Sequence, residues 1–211
     1  MLKLQIGAGL DGPAGWTNVD ASPTLRLQRL PVIGGWLQGR LRPRFSSRVS
    51  YGDVVRGLPF STGSVDCVYS SHVLEHLSFE DCLAALHEVH RVLRPGGVFR
   101  SALPDLEHEV RLYLESTDAD RASAFMRSTL VGTEHRDRGL GGLLRAWFGN
   151  SKHLWMWDYP FISHRLKQAG FVEVRGATFG DSALAAFAEV QNPERWTDAL
   201  GIECRKPLDA A

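Results

Sequence analysis

The spacing of apolar positions changes period several times along the 211 residues. Met1 to Ile6 alternates and then turns apolar, the pattern of a strand. Trp16 to Asp20 and Arg48 to Asp53 are two further short runs of that kind, each ending at a carboxylate. Val65 to Tyr69 is a denser run, bounded by Thr/Gly/Ser before it and by Ser70 and Ser71 after it, and reads as a buried strand. From Phe79 the period lengthens. Cys82, Leu83, Leu86, Val89, Val92 and Leu93 recur at helical spacing, while Glu80, His87, Glu88 and Arg91 fall elsewhere. Ser78 with Asp81 three residues on is a capping pattern, in which the hydroxyl takes an orphan amide of the first turn. Arg94-Pro95-Gly96-Gly97 ends that helix, and Val98 to Leu103 reads as the next strand. A strand, a crossover helix and a second strand form the unit of a parallel sheet.

The second half is predicted to hold helices over Asp105 to Glu115, Ala119 to Val131 and Phe161 to Ala169, with a further amphipathic turn over Gly139 to Phe148. Phe171 to Phe179 and Asp198 to Cys204 alternate as strands and suggest a closing hairpin. Residues 21–47 are punctuated by Pro23, Pro31, Gly34, Gly35, Gly39 and Pro43, and predict a loop with one short helix. Strands alternating with helices predict an α/β, three-layer, Rossmann-like domain with a mostly parallel sheet. One domain is expected over residues 1–211.

Composition narrows the partners. Lys+Arg and Asp+Glu balance at 24 each, so no net field recruits nucleic acid or an anionic membrane. The arginines at 40, 42, 44 and 48 read as a solvated loop. Cys67, Cys82 and Cys204 are too scattered for a disulfide framework or a metal knuckle. No signal-like segment opens the chain, and no apolar run reaches the roughly 20 residues of a membrane span, so a cytoplasmic protein without a membrane partner is expected.

Two motifs bear on chemistry. Gly7-Ala8-Gly9-Leu10-Asp11-Gly12 is a literal G-x-G-x-x-G. A dinucleotide site needs a helix opening at that loop and an acid about 20 residues later. Gly12-Pro13-Ala14-Gly15 cannot propagate a helix, and Asp20 follows only eight residues after Gly12, so a nicotinamide cofactor is disfavoured. His72-Val73-Leu74-Glu75-His76 is a literal H-x-x-E-H, the inverted zinc-peptidase pattern. Its histidines straddle a strand end and a helix capped at Ser78, so zinc hydrolysis is disfavoured and no metal is expected. In open α/β sheets ligands bind beyond the carboxyl ends of the strands, which puts Ser70, Ser71, His72 and Asp105 on one rim.

Taken together, LQIGAG (Leu4 to Gly9), NVD (Asn18 to Asp20), the segment Leu58 to Leu77 and LRPGGVFRSALPD (Leu93 to Asp105) resemble a class I S-adenosylmethionine-dependent methyltransferase of the type 11 group. The resemblance covers roughly residues 1–110. It implies that Gly7, Ala8 and Gly9 form the turn that meets the methionine carboxylate and ribose. Asp20 would accept from the ribose hydroxyls, Asp53 would meet the adenine amino group, and Val54 would lie against the ring. Ser70, Ser71 and His72 would flank the methionine part. The family's first helix is shortened or absent between Gly9 and Asp20.

A cofactor-binding half over 1–105 and an acceptor-covering segment over 106–160 follow from the same resemblance, with S-adenosylhomocysteine as the spent product. The implied reaction is methyl transfer to a small-molecule or sugar hydroxyl, with His72, His153 and Asp158 as candidate catalytic groups. His76 is a further candidate base, though it and Glu75 read first as braces of the following helix. A second subunit covering the face left by the lost helix would make a homodimer. A methyltransferase-like protein that binds without turnover is the other class the lost helix suggests.

Overall fold

In the computed structural model, residues 1–32, 34–132 and 152–208 are described. The expected turn over Gly139 to Phe148 lies outside them. The strands are β1 (Lys3–Ile6), β2 (Thr17–Asp20), β3 (Val49–Tyr51), β4 (Val65–Ser71), β5 (Leu93–Pro104), β6 (Val172–Gly176) and β7 (Ala199–Arg205). They form one sheet in the order β3-β2-β1-β4-β5-β7-β6. β1 to β5 run parallel, while β7 pairs antiparallel with both β5 and β6. This is the Rossmann-like architecture with a C-terminal antiparallel hairpin that the pattern predicts. The strand order reverses between β1 and β4, the topological switch point at which such sheets bind ligands.

Helix α3 (Phe79–Val92) connects β4 to β5. Its buried side chains are Cys82, Ala85, Leu86, Val89 and Val92, the stripe read from the spacing with Ala85 in place of the half-buried Leu83. The Ser78 hydroxyl accepts from the Asp81 amide at 3.2 Å, closing the expected cap. Arg94-Pro95-Gly96-Gly97 does not form a separate turn, because β5 begins at once at Leu93. That segment is an irregularity within the strand, with Gly96 at φ of 73° and a shift of register against β4. It is tied down by the Gly96 amide donating to the Lys206 carbonyl at 3.0 Å and the Lys206 amide donating to the Gly97 carbonyl at 2.9 Å.

Where one short helix was expected after Asp20 there are two, α1 (Pro23–Gln28) and α2 (Gly34–Arg40). Helices α4 (Leu106–Glu115), α5 (Arg121–Ser128) and α6 (Tyr159–Gln168) follow β5. α3 and α6 cover one face of the sheet with Leu86, Val89, Ile162 and Leu166 against Leu4, Val68, Phe99 and Ile202.

No helix lies between β1 and β2. On that side Trp16 packs with Tyr69, Phe187 and Trp196 against the sheet, using single-turn helices at Ala185–Glu189 and Pro193–Trp196. The Trp16 indole donates to Glu189 at 3.1 Å, and Lys3 pairs with the same carboxylate. On the side where no helix links β1 to β2, the chain's own C-terminal segment therefore packs against Trp16.

Candidate functional site

A cavity of about 530 Å³ opens at the carboxyl edge of β1, β2 and β4. Gly7, Gly9, Asp20, Asp53, Val54, Ser71 and His72 line it, joined by His76 and Arg195. Its floor is built at the end of β1. Gly7 and Gly9 both hold left-handed backbone, with φ of 65° and 66°, which favours glycine. Their surroundings differ. A Cβ at Gly7 would lie 2.1 Å from Val73 Cγ2, whereas one at Gly9 would meet nothing within 4 Å. Gly7 is thus the seat on which the segment after β4 packs, and Gly9 faces open space at the cavity. Ala8 points the other way, against the small cluster of Leu25, Phe45 and Val49.

Asp20 ends β2 with its carboxylate on the cavity wall. One oxygen accepts from the Gly9 amide at 3.0 Å and the other from the Ser22 amide at 2.8 Å. Burial raises its pKa above the usual carboxylate value, with the Ser22 and Gly9 bonds opposing. Each oxygen retains a second acceptor position. Asp53 folds its own turn, taking the Val55 amide at 3.0 Å and the Arg56 amide at 3.3 Å on one oxygen. Val54 is largely buried and joins the main core beneath the cavity.

β4 delivers the opposite wall. Ser71 reaches the cavity, but Ser70 is fully buried within the sheet and does not. His72 leaves the strand with φ of 53°, a conformation L-residues seldom hold, and its amide donates to the Ala102 carbonyl at 2.9 Å. Its Nε2 is 3.0 Å from the Arg195 carbonyl, so that nitrogen carries the proton. Nδ1 lies 3.3 Å from Glu75 Oε1. Glu75 raises the His72 pKa, with burial opposing. Both ring nitrogens therefore have protein neighbours, and His72 can act as a base only by releasing one of them.

The other two expected catalytic groups lie off the cavity. Asp158 caps α6, accepting from the Phe161 amide at 2.9 Å. His153 is buried behind the wall, where burial lowers its pKa and Glu75 opposes the shift. Its Nε2 is 4.0 Å from Glu75 Oε1, and its ring meets that of His76 at 5.0 Å. Asp105, also placed on the rim, caps α4 through the Glu107 amide at 2.9 Å.

Glu75, His76 and Arg195 complete this wall, and of the three only Arg195 escaped the sequence reading. Glu75, read from sequence as a helix brace, is fully buried. His76 and Arg195 line the cavity. The H-x-x-E-H pattern carried a signal for the first two. Nothing in the sequence around Arg195 marks it, since it reaches the wall only by the fold of the β6–β7 connection.

A family model described as a methyltransferase domain matches residues 35–100. Among solved structures, a chain of the complex built around the Haloferax volcanii Trm112 methyltransferase activator superposes with a TM-score of 0.52 at 18% identity, over all of this chain and 83% of that one. Haemonchus contortus phosphoethanolamine N-methyltransferase 2, in complex with S-adenosyl-L-methionine, gives 0.50 at 14% identity over 98% of this chain and 49% of that one. The fold is that of the class I S-adenosylmethionine-dependent methyltransferases.

Among curated proteins, the probable methyltransferase ltbC of Aspergillus luteorubrus is 33% identical over 84 residues, 38% of this chain and 28% of that protein. YafE of Escherichia coli K12, an uncharacterized protein, is 30% identical over 112 residues, 51% of either chain. The chain thus spans about half or less of the curated relatives it matches. Among the described residues no helix is long and apolar enough to cross a membrane.

Proposed function

We propose that the cavity binds S-adenosylmethionine and that the protein, a member of the type 11 group, transfers a methyl group to a small-molecule or saccharide acceptor, at a hydroxyl oxygen. One observation carries the reading. The turn after β1, the acid ending β2 and the acid after β3 converge on one cavity at the switch point of this fold.

The residues present fit the cofactor. Gly9 offers an open approach to the backbone, and the Asp20 carboxylate has acceptor positions for a vicinal diol. Asp53 and Val54 offer an acceptor beside an apolar surface, suited to an aminated ring. When bound, the cofactor would supply an electrophilic methyl on a sulfonium, and the protein's task is alignment and exclusion of water. Ser71 and His72 flank the β4 side, where the methionine part would lie. His72 and His76 are the wall's imidazoles nearest to an acceptor, whereas His153 and Asp158 act from behind it, as support for the wall and for α6.

The test is calorimetric titration of the full chain with S-adenosylmethionine and with S-adenosylhomocysteine. Saturable binding of both is expected. Asp20→Asn should weaken each by about 1–3 kcal/mol through loss of charge-assisted hydrogen bonds. A folded protein that takes up neither compound overturns the proposal.

A further inference from the structure

We propose that Glu75, His76 and His153 form a binding site for a divalent first-row transition-metal cation, with His72 as a fourth donor. A carboxylate oxygen of Glu75 and a ring nitrogen from each of His76 and His153 lie within 4.8 Å of one another. The inference starts from Glu75. Its side chain has no solvent exposure, and among the described residues neither carboxylate oxygen accepts a hydrogen bond. A buried carboxylate is costly, and native proteins answer that cost with a partner or a cation. What surrounds this one is a ring of imidazoles: His72 Nδ1 at 3.3 Å and His153 Nε2 at 4.0 Å from Oε1, with the His76 ring against that of His153.

The hydrogen bonds on the far sides of these rings set their lone pairs. His76 Nδ1 is 2.9 Å from the Lys152 carbonyl, an acceptor only, so Nδ1 bears the proton and a neutral ring presents a bare Nε2. By the same logic the bond from His72 Nε2 to the Arg195 carbonyl leaves Nδ1 bare in the neutral ring, on the side of Glu75. An imidazole that donates one N–H to a backbone carbonyl and offers the other nitrogen is the usual outer-shell arrangement of a metal ligand.

The backbone fixes the set. The Glu75 carbonyl accepts from the Leu154 amide at 2.7 Å and the Trp155 amide at 3.2 Å, which ties the segment carrying His153 onto the single-turn helix Leu74–His76. Two donors at 2.0–2.1 Å from a tetrahedral ion stand about 3.3–3.5 Å apart, so small rotations of side chains bring this set to bonding distance. Imidazole and carboxylate donors without thiolate suit zinc, iron, cobalt or manganese.

His72 and His76 also line the cavity, so a free coordination position there would take an acceptor oxygen and ease its deprotonation. That consequence rests on the proposed methyl transfer; the metal site does not.

The experiment uses the full chain stripped with a chelator and dialysed, then titrated with Zn²⁺ against a chromophoric competitor and with Co²⁺ by visible absorption. One equivalent of each is expected, with Co²⁺ showing the intense bands of a low-coordinate nitrogen and oxygen site. Glu75→Gln and His153→Gln should each weaken Zn²⁺ at least tenfold. If either fails to fold by circular dichroism, His76→Gln at the half-buried position replaces it. Absence of stoichiometric uptake by the folded protein, or uptake unchanged in the folded variants, overturns the site. Calorimetry with S-adenosylhomocysteine on the same samples reads the cofactor separately, so failure of one proposal is not failure of the other.

Discussion

Gly7 and Gly9 share a backbone conformation and differ only in what stands beside them, so an alanine at each separates packing from strain. At Gly9 the new methyl meets nothing, and the cost is that of a left-handed L-residue, about 1–2 kcal/mol. At Gly7 the same strain applies, and the methyl must also displace Val73 Cγ2 from 2.1 Å. Val73 cannot swing away as a flexible side chain would, because it is β-branched and sits between His72 at the end of β4 and the turn carrying Glu75. Overpacking of this kind costs a further 1–3 kcal/mol or so, which brings Gly7→Ala to about 2–5 kcal/mol.

Urea unfolding of the two single variants, followed by circular dichroism, measures both. The double variant Gly7→Ala/Val73→Ala removes the overlap and should recover about 1–3 kcal/mol as coupling. If Gly7→Ala is no less stable than Gly9→Ala, or the double variant shows no coupling, then Val73 does not pack on Gly7 and the junction between the β1 turn and the β4 segment is wrongly understood.

Two further outcomes follow from the far end of the sheet. Arg100 is fully buried in β5, bonding Glu203 and Asp181 at 2.8 Å each and stacking 4.6 Å from Trp196; Arg100→Met should cost about 3 kcal/mol by denaturation, since two acids lose a buried partner while Arg175 still holds both. A loss near that of an exposed pair, under about 1 kcal/mol, would show that Arg175 alone suffices. Burial alone would raise the Asp181 pKa, but Arg175, the Thr178 amide and Arg100 together hold it well below the usual carboxylate range. A depressed folded value means that this contribution is complete above the ordinary 3.8 and is lost only as pH falls through the folded value. Stability from Asp181 should therefore be flat from neutrality to about pH 4 and decline below it, and Asp181→Asn should flatten that acid limb in pH-dependent urea midpoints.

The central β–α–β unit was legible because local and tertiary preferences agree there. The valines and aromatics of β4, the Ser78 cap and the stripe from Cys82 to Val92 each specify the same element that packing selects. Legibility failed where long-range pairing decided the outcome. Pro95 and Gly96 carry turn signals, yet the ladder to Lys206, more than a hundred residues away, draws them into β5. The absent first helix was readable from Gly12-Pro13-Ala14-Gly15, but its replacement was not. Trp16 meets Phe187 and Glu189 only after β7 has inserted beside β5, and no local pattern announces that contact.

The wall of imidazoles shows the same division at the scale of a site. His72-Val73-Leu74-Glu75-His76 was visible as a pattern and was discounted because its histidines do not share an α-helical face. The structure agrees on that geometry: His72 is off the strand at positive φ, and Leu74–His76 is a single tight turn. What spacing could not supply was His153, which comes from 77 residues beyond His76 and is clamped to the motif by backbone bonds to Glu75 rather than by any side-chain signal. A motif judged by the regular element it would need thus leaves its long-range partners unread. The decisive feature is the sealed carboxylate at its centre, because a buried Glu75 requires a compensating positive charge, which the His72 ring at 3.3 Å or the proposed cation supplies.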